Sequence, residues 1–190
     1  MDNREIEKKI WFTSDTHFGH QKEFLWSPRG FNSIEEHDEA IIRNWNEVVG
    51  PNDDVYHLGD VMLNDNEHGL ECLKKLNGKI HLILGNHCTD TRIELYKTCP
   101  NIVSIDYAKE IKIGKYYFFL CHYPTCVGNF DDNKKIWCLC GHSHTQDKFI
   151  DMDKKSYHVE LDCHNNKPIE ISEIIKDINQ YKNIRTNMTK

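Results

Sequence analysis

The chain lacks any apolar run approaching the ~20 residues that a membrane span requires. Its first residues, MDNREIEKKI, hold no apolar stretch of the kind that heads an exported protein, so a cytoplasmic location is expected. Positive charge is not in surplus: 24 Lys and Arg face 30 Asp and Glu, a net −6. Binding along a nucleic-acid backbone draws on a basic patch or stripe. The balance therefore argues against a long nucleic acid as partner, and against a nuclease with a basic groove. It does not argue against a small phosphorylated substrate, because bound divalent cations reverse the local field. Internal repeats, low-complexity blocks and linkers rich in Pro, Gly or Ser are also missing, so one domain over 1–190 is expected. A chain of this length buries roughly two-thirds of its unfolded surface without disulfides.

The 8 cysteines are accordingly read as free thiols in a reducing compartment. Cys138 and Cys140 sit in an apolar run and read as small buried hydrophobes; structural zinc sites favour C-x₂₋₄-C spacing. Cys88 reads as a residue at a helix start. Association into a homo-oligomer is left open by the sequence.

What the chain does have is 12 histidines. Their placement follows the elements. IWFTS (10–14) is a short β-rich run ending at Asp15. Ser33 and Glu36 form a capping box before Ile34, Ile41, Trp45 and Val48, which recur at helical spacing until Gly50-Pro51. VYHL (55–58) reads as a strand, and Leu70, Leu73 and Leu76 mark a helix ended by Asn77-Gly78. KIHLIL (79–84) is a further strand, and Thr89 caps a short helix to about Lys97. AKEIKI (108–113) and YYFFLC (116–121) flank Gly114-Lys115, which suits a type II′ hairpin. IWCLC (136–140) and YHVEL (157–161) are late strands. Ser172 caps a final helix carrying Ile174, Ile175, Ile178 and Tyr181, and NIRTNMTK at the end is expected to fray. Strand–helix alternation followed by strands predicts an α/β domain of two mixed sheets with helices outside.

Five of these strands end in polar clusters: Asp15-Thr16-His17, Gly59-Asp60, Gly85-Asn86-His87, His122, and Gly141-His142-Ser143-His144. In open α/β sheets, functional groups gather at the carboxyl ends of strands. Each cluster alone has an ordinary reading as a turn or a packed histidine; five in order, each after a strand, point to one site. Imidazole with carboxylate suits Mn, Fe, Zn, Ni or Co. Asp-x-His and His-x-His place both side chains on one side of an extended segment. Asp60 is the natural bridge, since a carboxylate has two oxygens. A metal pair about 3.5–4 Å apart clamps the attacking and leaving oxygens of phosphoryl transfer. His20 and Arg29, in the segment after the first cluster, read first as solvated loop residues and otherwise as contacts to a substrate phosphate. His57 and His81 read as packed strand residues, and His158 and His164 as outside the metal site.

These residues resemble the calcineurin-like metallophosphoesterase superfamily, whose pattern D-x-H, G-D, G-N-H, H, G-H-x-H is met by SDTH (14–17), GD (59–60), GNH (85–87), CH (121–122) and GHSH (141–144). With FTSDTHFGH and HLGD, the chain looks most like a small bacterial and phage-type subgroup. The resemblance implies a two-sheet αββα sandwich. It implies one divalent ion, Mn foremost, on Asp15, His17, Asp60 and His144, and a second on Asp60, Asn86, His122 and His142. It further implies a metal-bridging hydroxide as nucleophile and His87 as general acid. The expected activity is hydrolysis of a phosphate ester, a nucleotide-type phosphodiester ahead of a monoester. The alternative is a metal-binding scaffold with little activity. The sequence departs from the family at Cys88, where Asp or Glu is common, and at Leu63, where some branches carry an acid that orients the catalytic histidine.

Overall fold

The computed structural model describes residues 8–125, 136–149 and 155–188. Cys126 lies outside them, and the other cysteines are unpaired. Strand β1 (Ile10–Thr13) alternates its side chains between two layers. Trp11 joins a core with Ile41, Trp45, Val55, Leu73, Ile80, Leu82 and Tyr96, while Phe12 joins another with Leu58, Ile83, Phe118, Leu120, Leu139 and Tyr157. A strand apolar on both faces belongs between layers, and this one does.

The first sheet runs β4-β3-β2-β1-β9. Its strands are β1, β2 (Asp54–His57), β3 (Lys79–Ile83), β4 (Ile102–Asp106) and β9 (Ile169–Glu170). The first four are mutually parallel and β9 is antiparallel to β1. The second sheet runs β5-β6-β7-β8, with β5 (Lys109–Ile113), β6 (Tyr116–Leu120), β7 (Ile136–Cys140) and β8 (Ser156–His158). Here β5–β6 is a hairpin and β6, β7 and β8 are parallel. Two mixed sheets with helices is the class expected. None of the helices among the described residues is long and apolar enough to cross a membrane.

The helices are α1 (Glu23–Trp26), α2 (Ile34–Val48), α3 (Asn66–Lys74), α4 (Asp90–Lys97) and α5 (Ile171–Met188). Ser33 Oγ accepts the Glu36 N–H at 3.1 Å, and the Glu36 carboxylate reaches back to Asn32 N at 2.8 Å, one residue further than a reciprocal box. Thr89 caps α4 as expected. Ile41 and Trp45 of α2 enter the first core, and Ile174 and Ile178 of α5 enter the second.

Several boundaries differ from the sequence reading. Ser172 lies inside α5, which begins at Ile171 and runs to Met188, through most of the NIRTNMTK segment (183–190) expected to fray. The strand expected over 157–161 stops at His158, because Glu160 leaves to bridge Ser14 and Leu161–Cys163 turns as a single 3₁₀ turn. β4 was not anticipated.

Candidate metal centre

The parallel arrangement sends β1, β2 and β3 in one direction, so Asp15, Asp60 and Asn86 emerge at neighbouring strand ends. Backbone bonds continue past the strands: Asp15 N to Gly59 O at 3.0 Å and His17 N to Asp60 O at 3.0 Å. In the second sheet, Gly141 N reaches His122 O at 3.0 Å, which sets His122 beside His142. The two sheets are tied where these ends meet. His142 N donates to Asp15 Oδ2 at 2.9 Å, and His122 Nδ1 donates to Leu58 O at 2.8 Å.

Asp-x-His and His-x-His are not extended here. Asp15, His17, Asp60, His142 and His144 have φ of 59°, 49°, 55°, 72° and 48°, all left-handed. Non-glycine residues held there store strain, and such residues collect at functional sites. The turns nevertheless converge the side chains. Close approach explains two glycines: a Cβ on Gly85 would meet Asp60 Oδ1, and one on Gly141 would meet Ser14 Oγ and Asp15 Oδ2.

Two groups result. Asp15, His17 and His144 bring ligand-type atoms within 4.8 Å of one another, and so do Asp60, His122 and His142. Asp60 Oδ2 lies 3.2 Å from His122 Nε2 and 3.9 Å from His17 Nε2, between the two. Asn86 Oδ1 is 2.9 Å from His122 Nε2. Burial alone would raise the Asp15 carboxyl, but His17, His122 and His144 hold it far below the usual carboxylate range. Burial would lower His122, and Asp60 and Asp15 outweigh it. The arrangement fits cations: Asp15 Oδ1 and both ring nitrogens of His17 are buried without a hydrogen-bond partner, a costly condition unless something else binds them.

His87 lies beside both groups. Its Nε2 is 3.9 Å from Asp60 Oδ2 with the side chain 39% exposed. Its backbone N–H donates to Asp60 Oδ1 at 2.9 Å, and Arg92 Nη1 donates to its carbonyl at 2.7 Å. Asp65, the nearest acid in sequence, caps α3 by accepting His68 N at 3.0 Å. Cys88 Sγ accepts Gly85 N, and burial pushes its thiol up, away from reactivity. His20 packs against His17 with ring centroids 5.7 Å apart, and burial with its histidine neighbours pushes it down to about 4.

Arg29 departs from its expected role. Its side chain is fully buried and spends its N–H groups inward instead of facing a ligand. Nε and Nη2 fork onto Asp162 Oδ1 and Oδ2 at 3.0 and 2.7 Å, Nη2 also reaches Asp15 O at 2.8 Å, and Nη1 meets His37 Nε2 at 3.0 Å. Asp162 was missed by sequence reasoning; its only signal was being an acid just past a late strand. Asp38, His68 and Cys72 also cluster. Asp38 there takes the N–H of Gly19 at 2.9 Å and the ring nitrogens of His37 and His68 at 2.7 and 2.9 Å, so the group fastens the loop after Asp15 onto α2.

A family model for calcineurin-like phosphoesterases matches residues 8–187. The chain belongs to the calcineurin-like phosphoesterase family. Its relatives include MJ1445, an uncharacterized protein of Methanocaldococcus jannaschii, 35% identical over 187 residues that cover 94% of this chain and 96% of the relative. The Gene 66 protein of Mycobacterium phage D29 is 30% identical over 200 residues, covering 90% and 98%. Among solved structures, AQ665 of Aquifex aeolicus, a protein of unknown function, superposes with a TM-score of 0.66 at 26% identity, covering 89% of this chain and 98% of that one. As a calcineurin-like phosphoesterase, the chain is assigned to the phosphoester hydrolases and to metal-binding proteins.

Proposed function

We propose that the chain hydrolyses a small phosphodiester of nucleotide type with two divalent cations, one on Asp15, His17, Asp60 and His144 and one on Asp60, Asn86, His122 and His142. The observation that carries this reading is the position of Asp60 Oδ2 between His122 Nε2 and His17 Nε2. Bound there, such cations neutralise phosphate charge and supply a strong oxygen nucleophile at neutral pH. The mixed imidazole and carboxylate donors suit Mn, Fe, Ni, Zn or Co alike, and Mn²⁺ is put first on the family resemblance. Unpaired cysteines among the described residues support a reducing, cytoplasmic setting.

The chain's own groups divide the remaining work. His87, anchored through both its N–H and its C=O, presents an open imidazole that protonates the leaving ester oxygen. His20 Nδ1 accepts the Lys22 N–H at 3.2 Å, which leaves its proton on Nε2 as a donor for a phosphate oxygen. Phe24 and Tyr123, 72% and 51% exposed, pack on His20 and on His142 with ring centroids 5.4 and 4.7 Å apart. Exposed rings beside the centre support a diester, whose second ester group needs a surface to lie on.

The test is turnover after chelation and restoration of Mn²⁺, Ni²⁺, Zn²⁺ or Mg²⁺, with bis-p-nitrophenyl phosphate and p-nitrophenyl phosphate side by side. Metal-restored hydrolysis favouring the diester is the expected result. Preference for the monoester overturns the diester reading, and failure of every metal to restore turnover overturns the hydrolytic one.

A further inference from the structure

We infer that Asp162, locked by Arg29, is a positioning residue that fixes the tautomer and direction of His144. The inference rests on the metal reading above. Arg29 Nη2 has only two hydrogens. One goes to Asp15 O at 2.8 Å and the other to Asp162 Oδ2 at 2.7 Å. The 3.3 Å approach of Nη2 to His144 Nδ1 therefore has no hydrogen left to donate. An arginine accepts nothing, so His144 Nδ1 must carry its own proton and give it to Asp162 Oδ2, 3.2 Å away. In the neutral ring the lone pair then lies on His144 Nε2, which faces Asp15 Oδ1 at 3.7 Å, and the ring stacks on that of His17 with centroids 5.1 Å apart.

Arg29 Nη1 donates to His37 Nε2 at 3.0 Å, so His37 Nδ1 carries a proton and donates to Asp38 Oδ1 at 2.7 Å. Asp38 Oδ2 takes the Gly19 N–H, in the loop that follows Asp15 and His17. Arg29 is thus held on three sides, and its planar fork leaves Asp162 one orientation. The Asp162 side chain is 5% exposed, so its carboxylate is held by Arg29 and His144 rather than by bulk solvent, while the His144 ring is 35% exposed. Carboxylates that hold the far nitrogen of a ligating histidine typically change metal affinity 10–100-fold when removed. The second group of ligands has its own device, the Leu58 carbonyl on His122 Nδ1. Loss of Asp162 should therefore weaken one ion and spare the other.

The experiment is Mn²⁺ titration of the full chain by calorimetry, on wild type, Asp162→Ala, His144→Ala and the double variant. Foldedness is checked by circular dichroism in chelator. Asp162→Ala is expected to weaken one of two Mn²⁺ sites about 10–100-fold. In the His144→Ala background it should add almost nothing, because its effect passes through that ring. Long-range ¹H–¹⁵N correlation on the metal-free protein, at a pH where the His144 ring is neutral, should give its Nδ1–H tautomer in wild type and a mixture in the variant. If Asp162→Ala does not fold, Asp162→Asn is read the same way, with a smaller loss expected. An equal loss in both backgrounds, unchanged affinity, or an Nε2–H tautomer in wild type overturns the inference while the metal reading stands. Wild type that takes up no Mn²⁺ overturns both.

Discussion

His142 donates its backbone N–H to Asp15 Oδ2 across 2.9 Å, though the two are 127 positions apart. This bond joins the end of β7 to the end of β1, so the two ligand groups are set by contact between sheets and not by either sheet alone. It requires Gly141 to sit against Asp15 and Ser14 without a Cβ. Gly141→Ala is expected to push the turn away, cost about 1–3 kcal/mol of stability, and lower metal uptake. Chemical denaturation and metal analysis check it; unchanged values for both would mean that the sheets do not need this contact.

His87→Ala is expected to keep two bound metals and to lower turnover about 10²–10⁴-fold on esters with poor leaving groups. The drop should be much smaller with p-nitrophenolate, which leaves without a proton. Steady-state rates on an alkyl and a p-nitrophenyl diester separate the cases. Equal losses on both would show that His87 does something other than protonate the leaving oxygen.

His164 offers a test of the core. Burial pushes it down to about 4, while its Nε2–H donates to His158 O at 2.9 Å. Between about 4 and the ordinary 6.5 the unfolded chain binds more protons than the folded one. The contribution of His164 is therefore complete above pH 6.5 and is lost as pH falls towards 4. His164→Gln keeps a donor and removes the titration. Urea curves at pH 7 and pH 4.5 should show wild type losing on the order of 1–3 kcal/mol more than the variant. Parallel losses would place the acid sensitivity elsewhere.

Tyr123→Ala is expected to raise KM about 5–10-fold for diesters bearing a flat aromatic group, in line with base–aromatic stacking, and to leave a methyl ester unaffected. Kinetics on matched substrates decide it. A uniform change across substrates would make Tyr123 a support for His142, whose ring it touches, and not a substrate contact.

Local chemistry explains what the sequence made legible. Ser33, Thr89 and the Gly114 turn act within a few residues of themselves, and β1, β2, β3, β6 and β7 announce themselves as apolar runs stopped by polar ends. Other features depend on distant chain. Arg29 finds Asp162 across 133 residues, and no local pattern marks a guanidinium that will be enclosed. The left-handed turns at Asp15 and His17 were hidden because the x-spaced pair suits an extended segment equally well. β4 is an edge strand whose residues are mostly half-exposed, so its alternation is weak. Glu160 ends β8 early because it bridges Ser14 of the other sheet, a tertiary event.

The most direct test of the account is the metal content and diesterase rate of Asp60→Asn beside wild type, after chelation and reconstitution with Mn²⁺. The account predicts two ions per wild-type chain, hydrolysis that rises with occupancy, and a variant that holds fewer than two ions and does not turn over. Two tightly bound ions with full activity in Asp60→Asn, or undiminished activity in metal-free wild type, would contradict it.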